Sequence, residues 1–366
     1  MSDWHINIVF PLLTSFIVTY LAIPKIIHFS KLSRLFAFAG GRNSHEGEIP
    51  IFGGVAIFAG LLFSLVFWAE LEEIQFILVS LIIVFFVGII DDLLSLSPLR
   101  KLVGQISSIL VLIYLAELKI DGMHNLFGVQ TLPPWISVLF TIFVVVVITN
   151  AYNLIDGIDG LAGGLGAIAS LFFGIIFLLS YESLMQHGDT EESIEVGQYA
   201  IISFTLLGSL LAFLRYNFNP AKIFMGDTGS LVIGLILSIL SIKLINNGIN
   251  IPNIEHSTER GPFIAIALLA IPLYDTFRVF FIRILSGYHP LHPDRNHIHH
   301  ALLDLGFGHK KSTLTLYIFS FLIAVISYFM IDMSLGLSIF ILTFIVLSCM
   351  SIPFILLQNK NRKGEK

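Results

Sequence analysis

Apolar runs close to the length of a membrane-spanning helix recur along the whole chain, and they restrict the possible folds more than any other feature of the sequence. A helix needs about 20 apolar residues to cross a bilayer. Eleven runs approach that length, at approximately 4–27, 51–69, 75–90, 102–118, 135–149, 161–180, 198–214, 231–245, 262–285, 314–331 and 335–357. Of the 366 residues, 56% are hydrophobic and only 12% are charged, which is outside the range of soluble domains. We therefore predict an all-α polytopic integral membrane protein with about 11 transmembrane helices, in a single domain over residues 1–366.

Lysine and arginine are concentrated at alternate ends of these runs. The larger group lies at 25–42, 100–101, 215–222, 278–311 and 360–366. The smaller group, at the other ends, is Lys119, Lys243 and Arg260. Because basic residues that flank membrane helices stay in the cytoplasm, we expect the N-terminus outside and the C-terminus in the cytoplasm.

The loops on the predicted cytoplasmic side carry nearly all of the Asp, Asn, His and Gly signatures. There are five such loops, at 29–50, 91–101, 150–160, 215–230 and 286–312. An Asp at the middle of a membrane costs about 2.5 to 3.5 kcal/mol on the insertion scale. We therefore expect these side chains at the membrane interface or in a wet cleft, where several helix ends build one active site.

Five carboxylates in these loops are the candidate catalytic residues: Asp91, Asp92, Asp156, Asp159 and Asp227. Adjacent carboxylates such as Asp91 and Asp92 raise the proton affinity of one of them unless a cation lies between them. Asp227 directly precedes an apolar run, so a helix cap is an alternative role for it or for Thr228. A helix N-terminus also attracts phosphate, and the two roles are compatible.

The segment 150–164 combines amides, carboxylates and glycines at helical spacing. Asn150 and Asn153 share one helix face with Gly157, Gly160 and Gly164. Small residues at such steps are typical of close helix packing in membranes, which would explain the glycines but not the polar side chains. Magnesium prefers a few carboxylate or carbonyl oxygens and completes its shell from substrate and water. The segment therefore indicates a Mg²⁺ and phosphate site.

The fifth loop is rich in histidine, with Arg295, His297, His299 and His300 close together. A zinc site is disfavoured because the loop has no Cys and no familiar ligand spacing. Arginine can bond two phosphate oxygens at once, so a cradle for a diphosphate fits better, and a purely structural role for the histidines is the alternative. We interpret Asp275 and Arg278, three residues apart, as an intramembrane ion pair.

Taken together, these motifs resemble the polyprenyl-phosphate N-acetylhexosamine-1-phosphate transferase family. The resemblance rests on Arg42-x-x-His45, Asp91-Asp92, the 150–164 segment, Phe224 to Gly229, Asp275-Thr276 and the His-rich loop. Within the family, 293–303 resembles the branch that transfers GlcNAc-1-phosphate to undecaprenyl phosphate, rather than the muramoyl-pentapeptide branch. The implied reaction is attack of the lipid phosphate on the sugar-bearing phosphorus of UDP-GlcNAc, with release of UMP, in the bacterial inner membrane.

The resemblance also implies roles for individual residues. Asp227 and Asn153 would bind Mg²⁺, for which Mn²⁺ is the expected substitute, and Asp156 and Asp159 would lie nearby. Asp91 or Asp92 would take the proton of the lipid phosphate. The implied substrate-binding residues are His45, Lys101, Asn150, Asn153, Arg295, His297, His299 and His300. One position departs from the family pattern, because Ser95 stands where a third Asp is common.

Two alternatives stay open. A sister transferase would use UDP-FucNAc, UDP-QuiNAc or UDP-MurNAc-pentapeptide. A secondary transporter would use Asp and His as an ion relay, but relays lie at mid-membrane rather than at span ends. The expected partners are undecaprenyl phosphate, a UDP-sugar and membrane lipid, with a homodimer as a further candidate and no nucleic acid.

Overall fold

A computed structural model describes residues 4–33, 49–126, 128–248, 257–288 and 296–364. In these ranges the chain forms thirteen α-helices, a two-stranded hairpin and one 3-10 turn at Ser257–Arg260. The helices are α1 Trp4–Leu32, α2 Gly53–Trp68, α3 Leu71–Leu94, α4 Pro98–Tyr114, α5 Pro134–Ile155, α6 Leu161–His187, α7 Thr190–Asn217, α8 Gly226–Asn247, α9 Gly261–Leu268, α10 Ala270–Leu285, α11 Ile298–Asp304, α12 His309–Phe329 and α13 Leu335–Gly364. The chain is therefore mostly helical, as predicted, and consistent with a polytopic membrane protein.

The hairpin is an exception to the predicted all-α class. Strands β1 (Gly122–Leu126) and β2 (Val129–Thr131) pair antiparallel between α4 and α5. This connection is a short break between two apolar runs, and Gly128 adopts a φ of +77° there, a conformation that favours glycine. Gly122 pairs with Thr131 and Leu126 with Val129, and the preceding Ile120 nitrogen donates to Thr141 Oγ1 of α5 at 2.9 Å.

The predicted count of eleven spans is not confirmed. In the described part of the chain, eight helices are long and apolar enough to cross a membrane: α1, α3, α5, α6, α7, α8, α12 and α13. A ninth span results if α9 and α10, which meet at a bend of 78°, are counted together. The remaining two predicted spans correspond to α2 and α4, which have 16 and 17 residues.

Helix α8 lies at the centre of the bundle and packs against α2, α3, α5 and α9. Glycines make these contacts close. A Cβ added to Gly54 would lie 2.2 Å from the Gly229 nitrogen, and one added to Gly88 would lie 2.4 Å from the Thr228 Cα. Packing through small residues is typical of membrane helices. As a result, the first turn of α8 is held directly against the backbones of α2 and α3.

The end of α3 and the start of α4 are fixed by local sequence. Ser95 adopts a left-handed conformation with a φ of 51° and ends α3. Pro98 occupies the first turn of α4. Proline is tolerated there because backbone N–H groups of the first turn have no acceptor within the helix. The chain therefore reverses within a few residues, and Lys101, in the first turn of α4, lies opposite Asp91.

Candidate active site

Four helix ends meet at one end of the bundle. The C-terminal turn of α3 carries Asp91 and Asp92, α4 begins near Lys101, α5 ends near Asn153, and α8 begins near Asp227. Residues from three of the predicted loops are thus in direct contact, although they are distant in sequence.

Lys101 lies at the centre of this convergence. Its Nζ is 3.0 Å from Oδ2 of Asp91, 2.8 Å from Oδ2 of Asp227 and 3.4 Å from Oδ1 of Asn153. Asn153 also donates through Nδ2 to Asp227 Oδ1 and, at 2.9 Å, to Ser230 Oγ. We call Lys101, Asp91, Asn153 and Asp227 the Lys101 cluster. The side chain of Lys101 is only 13% exposed, so this charge depends on its two carboxylate partners.

Asp92 has different partners from Asp91. Its carboxylate accepts hydrogen bonds from the backbone nitrogens of Asp227 at 2.7 Å and Thr228 at 3.0 Å, and from the Thr228 hydroxyl. Asp92 therefore caps the N-terminus of α8 from another helix. Asp227 itself lies inside the first turn of α8 and is not the capping residue, so its side chain is available to the cluster.

Asp156 follows directly after α5 and is half-buried beside the cluster. Burial, together with the negative charges of Asp227, Asp92 and Asp159, raises the pKa of Asp156 to about 7. This carboxyl is therefore close to half-protonated near neutral pH. Asn150, one turn before Asn153 in α5, lies outside the cluster and donates to Gln105 Oε1 at 3.2 Å and to the Val146 carbonyl at 2.7 Å.

Asp159 is buried and holds loops together. Its Oδ2 accepts from Asn219 Nδ2 at 2.8 Å and from the Ala221 nitrogen at 3.0 Å. Its backbone carbonyl accepts from Thr313 Oγ1 at 2.9 Å, and His309 Nδ1 lies 3.5 Å from its Oδ1. This carboxylate therefore positions the loop before α8 against α12, and direct contact with a substrate stays a prediction.

The described histidines of the fifth loop are packed against the protein. His297 and His299 are buried, and His300 is half-buried. A Cβ added to Gly157 would lie 2.2 Å from Nε2 of His299, so the imidazole rests directly on the backbone after α5. Burial and the charges of His300, His297 and His309 lower the pKa of His299 well below its ordinary value. His299 is therefore neutral and joins the fifth loop to the third.

Asp275 anchors the same segment, a role that the sequence interpretation missed. The predicted pair with Arg278 is present at 3.5 Å. In addition, Asp275 Oδ2 lies 2.8 Å from Nδ1 of His297, and its Oδ1 accepts from the Ile298 nitrogen at 2.9 Å. The Asp275-Thr276 motif was the signal that could have indicated this role. His45 and Arg295, both predicted to bind substrate, lie outside the described residues.

The donor set of the Lys101 cluster suits a hard divalent cation. In the described part of the chain, no group of three His, Cys, Asp or Glu side chains is arranged to hold a metal ion. The cluster instead offers two carboxylate oxygens and one amide oxygen around a single cation, the Lys101 ammonium. Magnesium is commonly held by one or two carboxylates and completed by phosphate and water, so these residues fit that ion.

Comparison with known proteins places this site in a family. The profile of glycosyl transferase family 4 matches residues 74–245. The chain is 32% identical to the probable undecaprenyl-phosphate N-acetylglucosaminyl 1-phosphate transferase of Bacillus subtilis (strain 168), over 84% of this chain and 80% of that relative. It is 31% identical to the undecaprenyl-phosphate alpha-N-acetylglucosaminyl 1-phosphate transferase of Haemophilus influenzae, over 83% of each chain. It is 29% identical to the decaprenyl-phosphate N-acetylglucosaminephosphotransferase of Mycolicibacterium smegmatis, over 85% of this chain and 79% of that relative. The chain therefore belongs to glycosyl transferase family 4, among the polyprenyl-phosphate N-acetylhexosamine-1-phosphate transferases.

Proposed function

We propose that this protein transfers N-acetylglucosamine-1-phosphate from UDP-N-acetylglucosamine to undecaprenyl phosphate. An oxygen of the lipid phosphate forms a bond to the sugar-bearing phosphorus, and the bond from that phosphorus to UMP breaks. UMP leaves with the bonding electrons, and the product is a lipid diphosphate sugar that starts a cell-envelope polysaccharide. The names of the similar proteins support undecaprenyl phosphate as the acceptor and N-acetylglucosamine 1-phosphate as the transferred group.

The observation that carries the proposal is the Lys101 cluster. Two anionic substrates have to approach each other in this reaction, so positive charge is needed where they meet. Lys101 supplies one such charge at the end of a membrane bundle, 2.8 Å and 3.0 Å from two carboxylates. We expect these helix ends at the membrane interface, where a lipid phosphate and a soluble nucleotide would meet.

We infer that Asp227, Asn153 and Asp91 would hold Mg²⁺, with Mn²⁺ as a substitute. The ion, when bound, would neutralise the diphosphate and stabilise the charge on the leaving group. Lys101 would bind a phosphate oxygen of the lipid. Asp92 would keep α8 and therefore Asp227 in place, since its oxygens already accept three hydrogen bonds.

Of the two adjacent carboxylates, Asp91 is the one that faces the Lys101 cluster and therefore the proposed substrate phosphates. Its Oδ2 faces Lys101, whereas both oxygens of Asp92 are bonded to the first turn of α8. A phosphate monoester loses its second proton near pH 6, so the lipid phosphate is already a competent nucleophile at neutral pH. We therefore favour direct attack on the sugar phosphate without a covalent enzyme intermediate.

The test is UMP release by the purified protein in detergent with undecaprenyl phosphate, Mg²⁺ and a panel of UDP-sugars. We expect turnover with UDP-N-acetylglucosamine to exceed turnover with UDP-FucNAc, UDP-QuiNAc or UDP-MurNAc-pentapeptide. Preference for one of the other sugars would reassign the protein to a sister transferase. Exchange of labelled UMP into the UDP-sugar in the absence of lipid would instead demonstrate a covalent intermediate.

A further inference from the structure

Lys101 occupies the position that a metal ion would need in the Lys101 cluster. Its ammonium contacts Asp91 Oδ2, Asp227 Oδ2 and Asn153 Oδ1, which come from three different helices. These three oxygens face one point, and in this structure Lys101 is the cation at that point.

The other oxygens of the two carboxylates have other partners. Asp91 Oδ1 accepts a hydrogen bond from the Leu96 nitrogen at 2.7 Å, which fixes the turn after α3. Asp227 Oδ1 accepts from Nδ2 of Asn153. The oxygens that remain for a metal are therefore the ones that Lys101 now contacts.

An ammonium group and a magnesium ion cannot both occupy the point that these three oxygens face. Magnesium binds oxygen at about 2.0 to 2.1 Å and demands a near-octahedral shell. Lys101 would then lie within a few ångströms of a dication in a largely buried site, where water screens the repulsion poorly.

We propose that Lys101 is the resident counter-ion of the metal-free enzyme and has to leave the three oxygens before a divalent cation binds. This inference rests on the metal site of the proposed function. The flexible four-carbon stem of lysine allows the ammonium to move while α4 stays in place. As the metal enters, the ammonium is free to turn toward a substrate phosphate, so the metal and Lys101 then both face the substrates.

The experiment measures Mn²⁺ binding to the metal-stripped full chain in detergent without substrates, from the electron paramagnetic resonance signal of free Mn²⁺. Lys101→Gln should bind Mn²⁺ roughly tenfold to a hundredfold more tightly than the wild type, because no charge-assisted hydrogen bonds have to be broken. Lys222→Gln is the matched control, since Lys222 is an exposed lysine in the loop before α8. Its removal should change the affinity by about twofold or less, because salt screens exposed charges. Lys101→Arg keeps the charge and should bind Mn²⁺ no more tightly than the wild type.

Equal or weaker Mn²⁺ binding by Lys101→Gln would overturn the inference. Asp227→Asn separates this failure from failure of the proposed function. If Asp227→Asn abolishes binding while the wild type and Lys101→Gln bind equally, the metal site stands and the displacement does not occur. If neither the wild type nor Lys101→Gln binds Mn²⁺, both the proposed metal site and the proposed displacement of Lys101 are wrong. Should Lys101→Gln fail to fold, Lys101→Met keeps the apolar stem and carries the same expectation.

Discussion

Asp91 and Asp92 are neighbours in the sequence, yet they have different partners. Asp91 contacts the Lys101 ammonium, whereas Asp92 accepts from the backbone of α8. Successive residues of a helix point in directions about 100° apart, so one carboxylate faces the cluster while the other faces the neighbouring helix. The pair therefore combines a site residue with a residue that positions the site.

Asp227 is the residue on which the proposed chemistry depends most. Asp227→Asn should reduce turnover by at least about a hundredfold, more than the loss of an outer-shell partner of a metal usually costs. Asn153→Ala should also weaken the dependence on Mg²⁺. The measurement is UMP release at increasing Mg²⁺ concentrations, with Ser95→Ala as the control because Ser95 is exposed. Near wild-type rates in Asp227→Asn would remove the metal assignment.

The raised pKa of Asp156 predicts a pH dependence of stability. Its pKa is about 7 in the folded protein, against about 3.9 for an ordinary Asp. The folded state therefore binds this proton more tightly than the unfolded state, and the resulting stabilisation is present below about pH 4 and lost as the pH rises through about 7.

Asp156→Asn stays neutral at every pH and should remove this dependence. In EDTA, the thermal unfolding midpoint of Asp156→Asn should rise relative to that of the wild type between about pH 6 and about pH 8. Parallel curves for the two proteins over this range would contradict the assignment.

At the residue scale, the sequence was sufficient to select the polar segments but not the partners of each side chain. It indicated that 91–101, 150–160 and 215–230 belong together, because their polar residues interrupt apolar runs on the same side. It did not indicate that Asp92 caps α8 or that Asn150 bonds Gln105, since both contacts depend on how two helices are rotated against each other. Such rotations are set by packing, which hydropathy does not encode.

Among the elements, the contact between the third and fifth loops is sensitive to a single methyl group. Gly157→Ala would place a Cβ 2.2 Å from His299 Nε2, so the imidazole of His299 has to move. We expect the KM for the UDP-sugar to rise by roughly tenfold or more, as for other losses of supporting contacts. Gly336→Ala is the control, because a Cβ there meets no atom within 4 Å. Equal KM values for the two variants would show that His299 does not position the donor site.

A substitution at Asp275 also perturbs the segment around α11, through the contacts of Asp275 with His297 and Ile298. Asp275→Asn removes the charge that holds His297 and the first turn of α11. We expect the KM for the UDP-sugar to increase by about tenfold, with a smaller change in kcat, because the effect acts through orientation. Steady-state kinetics with Asp332→Asn, a change at an exposed carboxylate, provide the comparison. A loss confined to kcat would instead place Asp275 in the chemical step.

Helix existence was largely predictable from apolar length, whereas helix geometry was not. The run at 262–285 was predicted as one span, but the structure divides it into α9 and α10 with a 78° bend. Pro272 offers a physical reason, because it has no N–H to donate to the Leu268 carbonyl four residues earlier. A hydropathy average does not detect the loss of this hydrogen bond, since proline does not interrupt the apolar character of the run.

For the whole molecule, the orientation in the membrane remains a prediction. The hairpin and the Lys101 cluster should lie on opposite sides, with the cluster in the cytoplasm. In a Cys349→Ser background, Gln130→Cys in β2 should react with a membrane-impermeant maleimide in intact cells, whereas Lys222→Cys should react only after permeabilisation. Mass shift of the purified protein reports the labelling. The reverse pattern would place the cluster outside.

The burial of α8 has a consequence for how the protein is made. Nearly all of its length is enclosed by protein, and its sequence contains serines and glycines that lipid would solvate poorly. Of the helices that pack against it, α2, α3 and α5 precede it in the chain and α9 follows it. Because synthesis proceeds from the N-terminus, α2, α3 and α5 are made before α8, and the Lys101 cluster is complete only when α8 has docked against them.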